Sequence, residues 1–278
     1  MQALKHVLNF YINSSIHVAL AVVSLTYITF MEFNIPKDTN LLFFIFFASV
    51  TGYNFVKFFG VAKFHHRSLT TWLKLIQIFS LISFVLMCYY ALKLEMITLL
   101  YVVGFGMLTF LYAIPLLPPN RFLDEKNNLR SIGGLKVFLI ALVWTGVTVV
   151  LPLINNHFEL IKTEVLLSSI QRFLLVVMLM IPFEIRDLQF DSVKLATVPQ
   201  LLGVTGTKLL GILLGIGYII LECLKDKTFG TNWIVLCIIL VITFMLIVFS
   251  KEKQHKFYSA LWVEGVPILW LIMLLLFT

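Results

Sequence analysis

The sequence predicts an all-α polytopic membrane protein, nine transmembrane helices in a single domain over residues 1–278, and three observations predict it. Apolar residues make up 60% of the chain and charged residues 13%, with a mean hydropathy of +0.99. Soluble domains carry about 25% charged residues, so water cannot be the solvent for most of this surface. Nine mainly apolar segments each approach the ~20 residues that a spanning helix needs. Threading them alternately across a bilayer, with the N-terminus in the cytoplasm, puts fifteen of the 21 Lys and Arg residues on the inner side and five on the outer, with Arg172 inside a span. That asymmetry is the positive-inside signature.

The first span, 10–31, follows Lys5 and His6. Asn9, Asn13, Ser14, Ser15 and His17 interrupt its first half and no small-residue cleavage site follows, so it reads as a retained helix and not a signal peptide. Asn9, Asn13 and His17, at i, i+4 and i+8, form a polar stripe suited to interhelical hydrogen bonds or to a cavity wall. The second span, 41–62, runs into a cation-rich stretch holding Lys57, Lys63, His65, His66 and Arg67. Spans at 72–92 and 96–117 flank Lys93 to Glu95, and the fifth, 134–154, opens at Gly134-Leu135-Lys136 and contains Trp144. The sixth, 165–184, carries Arg172, which has to face protein or water; Glu32 and Glu164 are the acids within reach of it. Gly211, Gly215 and Gly217 on the seventh, 206–223, are spaced for close helix packing. Spans at 232–250 and 258–277 complete the set, with Thr278 outside.

This composition excludes a secreted disulfide scaffold, a disordered chain, a coiled coil and an ordinary cytosolic enzyme. Cys88, Cys223 and Cys237 have no short spacing and give neither a disulfide framework nor a thiolate metal site. The net charge of +7 belongs to topology and to contact with membrane lipids, with no nucleic acid implied. A bacterial cell would place such a chain in its plasma (inner) membrane.

Chemistry concentrates at Pro182-Phe183-Glu184-Ile185-Arg186-Asp187-Leu188-Gln189-Phe190-Asp191. On a continuing helix Glu184, Asp187 and Asp191 share one face, and three carboxylates make a hard-oxygen site suited to Mg²⁺. The alternative is a solvated helix end whose acids pair with Arg186 and Lys194.

Arg186-Asp187-Leu188-Gln189-Phe190-Asp191, followed by Lys194, Thr197-Val198-Pro199 and Gly203, resembles the second aspartate-rich motif of the UbiA superfamily of intramembrane prenyltransferases. Tyr112 to Pro115, Gly134-Leu135-Lys136 and Glu264-Gly265 are further landmarks, and the resemblance covers nearly the whole chain. It implies nine helices around a central cavity open to the cytoplasm. It also implies transfer of a prenyl group from a prenyl diphosphate to a lipid-soluble acceptor, with Mg²⁺ held by Asp187, Asp191 and Glu184. Asn54, Lys57, Lys63, Arg67, Arg186 and Lys194 would then contact the diphosphate or its metal, and Tyr112 would face the allylic cation.

The family's first motif is degenerate. Asn54 matches it, but Phe58 and Ala62 stand at the acidic positions, and no carboxylate occurs from Thr39 to Leu94. Two expectations follow. Either Lys57, Lys63 and Arg67 replace a metal at the diphosphate or they touch headgroups; and the protein is either an enzyme or a non-catalytic relative that binds a polyprenyl or quinone-like lipid or serves as a membrane assembly partner. Paired broken spans of the kind transporters use are not evident.

Overall fold

The computed structural model describes residues 2–58, 71–113, 135–191, 196–225 and 231–277, and every regular element among them is helical. In chain order these are α1 (Gln2–Asn13), α2 (Ile16–Glu32), α3 (Thr39–Phe58), α4 (Thr71–Ala91), α5 (Met96–Ala113) and α6 (Leu135–Thr145). A π-helical turn, Gly146–Val150, leads from α6 into α7 (Leu151–Asn155). Then come α8 (Thr163–Asp187), α9 (Val198–Cys223), α10 (Thr231–Val248), a second π-helical turn (Tyr258–Val263) and α11 (Val266–Phe277). Six helices among the described residues are long and apolar enough to cross a membrane, or seven if the bent pair α1 and α2 is one span; α5 and α10 are shorter apolar helices. This is an integral multi-pass membrane protein.

Helix α2 is the middle of the packing. Of its 17 residues, 11 are buried, so it is covered on every side and not amphipathic. One side, through Leu25 and Ile28, joins Leu175 and Met178 of α8, Ile239 of α10 and Trp270 of α11. The other side, through Val22 and Phe30, joins Leu41, Phe44 and Ile45 of α3 and Leu151 of α7. Outward-facing residues such as Leu81, Val103 and Met245 are more than half exposed, as lipid-facing side chains should be.

Two local features re-aim helices. Gly203 has φ +68° and breaks α9 five residues after its start, a conformation open to glycine. The break is supported by the Thr207 hydroxyl, which donates to the Gly203 carbonyl at 2.7 Å, and by Gln200, whose side chain accepts from the Thr197 amide at 3.0 Å. Further along α9, a Cβ at Gly215 would meet the Phe244 ring at 2.2 Å and one at Gly211 would meet Ile181 at 2.7 Å. Those two glycines therefore do what their spacing predicts and let α8 and α10 close on α9.

The first span is broken. Ser15 has φ 65° and the axes on either side of it differ by 56°. Asn9, Asn13 and His17 consequently do not form one continuous stripe: Asn9 and Asn13 stay on α1, while His17 turns into the packed interior of α2.

At the Glu32 end of the bundle lies a buried ionic knot. Lys225 reaches Glu32 at 2.7 Å and Glu222 at 3.1 Å; Gln171 donates to Glu222 at 2.9 Å and Ser168 to Glu32 at 2.5 Å. Arg172 finds its direct partner in the Leu25 carbonyl, 2.7 Å away, with Glu32 acting on it electrostatically. Glu164, the other acid expected near it, is exposed. Removing Lys225 takes away the ammonium that Glu32 and Glu222 share, so Lys225→Met should lower stability by about 3 kcal/mol. Thermal unfolding in detergent checks this, and adding Glu32→Gln to Lys225→Met should return part of the loss.

Candidate functional site

The end of α8 is shaped by Pro182, which interrupts the backbone ladder inside the helix. Its carbonyl accepts from the Gln254 side chain at 3.1 Å, tying the segment before the second π turn to α8. Two residues on, Glu184 is 2% exposed. It faces Lys136 of α6, whose ammonium lies 2.7 Å from Glu184 and 3.4 Å from Asp187. Arg186 grips the other oxygen of Asp187 through Nε at 2.8 Å and a terminal nitrogen at 2.7 Å, with its guanidinium over the Phe183 ring. The result is an alternating set of two acids and two bases.

The acidic stripe does not run as far as expected. Helix α8 ends at Asp187, so Asp191 sits beyond it, on a turn whose amide still bonds the Asp187 carbonyl at 2.9 Å. Asp191 remains close enough to act on Glu184 electrostatically.

Opposite lies α3. Asn54 is buried and its amide is spent on structure: Nδ2 donates to the Ser14 carbonyl at 3.0 Å and to the Ser80 hydroxyl at 2.8 Å, and Oδ1 accepts from Ser15 at 2.8 Å. Asn54 thus holds the break between α1 and α2. Lys57, one turn on, donates to the same Ser15 hydroxyl at 2.9 Å. Lys63, Arg67 and Lys194 lie outside the described residues, as does the side chain of Tyr112.

Between α1, the end of α8 and the second π turn is a cavity of about 220 Å³ lined by Asn9, Ile12, Asn13, Arg186, Lys256, Phe257 and Ala260. Lys256 donates to Asn9 at 3.1 Å across it. His17 fastens α2 to the second π turn: Nε2 donates to the Leu261 carbonyl at 2.9 Å, which in the neutral ring leaves Nδ1 to accept from the Tyr11 hydroxyl at 2.8 Å.

Carboxylates at this end have the right chemistry for Mg²⁺, and in this structure two of them are held by cations of the protein itself. Lys136 and Arg186 occupy the oxygens of Glu184 and Asp187, and among the described residues no three His, Cys, Asp or Glu side chains converge to hold a metal ion. Lys136 is the participant that sequence reading passed over, seen only as a landmark. Its signal was present: a lysine just inside an apolar span has to find an acid.

Among solved structures, the fold is similar to the apo structure of a UbiA homolog from Aeropyrum pernix K1, with a TM-score of 0.65, 14% sequence identity, and coverage of 94% of this chain and 98% of that one. No family model matches the sequence. No curated protein matches it either. At that identity the likeness is one of architecture: this chain has the UbiA fold.

Because Glu184 is buried and Lys136 is its counter-ion, Lys136→Met should destabilise the protein by about 3 kcal/mol. The double variant Lys136→Met with Glu184→Gln should recover most of that, read as the unfolding midpoint of each protein in detergent.

Proposed function

We propose that this protein is a UbiA-type intramembrane prenyltransferase that moves a prenyl group from an allylic diphosphate to a lipid-soluble acceptor. One observation carries the reading: within a UbiA fold, Lys136, Glu184, Arg186 and Asp187 gather beside a cleft at the end of α8, where the sequence resembles the second aspartate-rich motif. Nine spans, a cytoplasmic N-terminus and an outer Thr278 belong to the same proposal, since the distribution of basic residues supports them.

The chemistry is electrostatic. As the allylic carbon–oxygen bond breaks, its electron pair leaves with the diphosphate, and cations in a low-dielectric site stabilise that charge. Lys57 and Arg186 are the described candidates, with Lys63, Arg67 and Lys194 proposed beside them. Apolar walls keep water from the carbocation, which Tyr112 would face. Mg²⁺ on Asp187, Asp191 and Glu184 also stands as a proposal, on the condition that the ion pairs with Lys136 and Arg186 open first.

A second reading has an observation of its own. With Phe58 and Ala62 at the acidic positions after α3 began, and both α8 acids already paired, the protein is equally suited to holding a polyprenyl or quinone-like lipid without turnover.

Titration of the purified protein with geranylgeranyl diphosphate, in Mg²⁺ and in EDTA, followed by assay of pyrophosphate release, separates the two. The enzyme reading expects binding and release, and expects Asp187→Asn to weaken binding in Mg²⁺ by at least about tenfold, or 1.4 kcal/mol. Lys57→Ala should weaken binding in both media, since its loss leaves diphosphate charge uncompensated. Binding without release supports the lipid-binding reading; no binding at all removes prenyl diphosphate from both.

A further inference from the structure

At the end of α8 one ammonium stands between two carboxylates. Lys136 Nζ is 2.7 Å from Glu184 Oε1 and 3.4 Å from Asp187 Oδ2, while Arg186 holds Asp187 Oδ1 at 2.7 Å. A point that two acidic oxygens face at such depth has to carry a cation. Here the cation belongs to the chain, and it arrives from α6, a different helix from both acids.

The same oxygens suit a divalent ion. Glu184 and Asp187 are hard ligands at i and i+3 on α8, and Asp191 follows on the next turn, its amide bonded to the Asp187 carbonyl at 2.9 Å. Mg²⁺ keeps several waters and is held by one or two carboxylates, so it does not need a third acid converging on the same point. Formal charge then decides which cation fits. Glu184, Asp187 and Asp191 against Lys136 and Arg186 leave one negative charge; without Lys136 they leave two, the complement of a divalent ion. The lysine is also placed to leave: its side chain is 14% exposed, against 5% for Lys225 in the knot at the other end. A flexible four-carbon stem with its head near solvent can swing outward, which the enclosed Lys225 cannot do.

We propose that Lys136 is a built-in competitor for the metal ion of this site: its ammonium holds the place between Glu184 and Asp187 that a divalent ion would take, so the ligand-free protein excludes such ions until Lys136 is displaced. This rests on the reading of the α8 acids as Mg²⁺ ligands, and it names the residue that regulates their occupancy. Lys136 therefore acts through the carboxylates, as a positioning and gating residue. Substituting it should do more than weaken the fold; it should create metal affinity where the parent has little.

The test measures Mn²⁺ binding to the full chain in detergent by electron paramagnetic resonance, with no diphosphate present. Lys136→Met should bind Mn²⁺ at least about tenfold more tightly than the parent. Lys136→Arg, which keeps the positive charge, should bind it like the parent, and Lys136→Met with Glu184→Gln should lose the gain. A second readout follows from linkage: at constant ionic strength, about 10 mM Mg²⁺ should raise the unfolding midpoint of Lys136→Met by about 3 °C and leave the parent and the double variant within about 1 °C. Should Lys136→Met fail to fold, Lys136→Gln, which keeps a polar head on a shorter stem, carries the same comparisons. Equal Mn²⁺ affinity in parent and variant, tight binding by the parent, or a gain that survives Glu184→Gln overturns the assignment. A gain of Mn²⁺ affinity in a protein that binds no geranylgeranyl diphosphate leaves Lys136 in its role and removes the transferase reading. Binding and pyrophosphate release by the parent, with no such gain in the variant, overturn the role of Lys136 alone.

Discussion

Inside a bilayer a buried charge has no water to fall back on, so each has to meet its counter-charge within the protein. That constraint organises both ends of this bundle. At one end Lys225 lies between Glu32 and Glu222; at the other Lys136 lies between Glu184 and Asp187. Each lysine comes from a different helix or loop than at least one of its acids, so neutralising charge and fixing the helix arrangement are one operation. Arg172 obeys the same rule by a different route, with a backbone carbonyl as its direct partner.

The two ends are connected through α2. Its buried faces hold α3 and α7 on one side and α8, α10 and α11 on the other. Its start is set by the left-handed Ser15, and Asn54 stabilises that turn by bonding to both Ser14 and Ser15. The consequence for the site is direct. Bonding at the break draws α3 against α2, and Lys57 follows, its ammonium resting on Ser15. A residue expected to meet the ligand thus positions one that still can.

What the sequence made legible was whatever depends on composition and period. The apolar segments mark the helices, the spacing of Gly211 and Gly215 marks a close contact, and the acids after Pro182 mark the end of α8 as chemically different. What it hid depends on partners distant along the chain. Lys136 and Glu184 are 48 positions apart, and nothing in either segment says that one will neutralise the other. The break at Ser15 was hidden for a related reason: serine does not ordinarily adopt a positive φ, and here a side chain from another helix supports it. The polar stripe read across that break assumed a continuous helix, and the bend removes the assumption.

The missing acids of α3 look different once charge is counted by wall instead of by motif. The α8 wall carries carboxylates already matched to Lys136 and Arg186, and the α3 wall carries Lys57. Two acidic walls would repel a diphosphate unless metal ions lay between them; one acidic wall with resident cations does not impose that requirement. Losing the carboxylates of α3 therefore does not by itself empty the site of function. It moves the source of positive charge from bound ions toward the protein's own side chains.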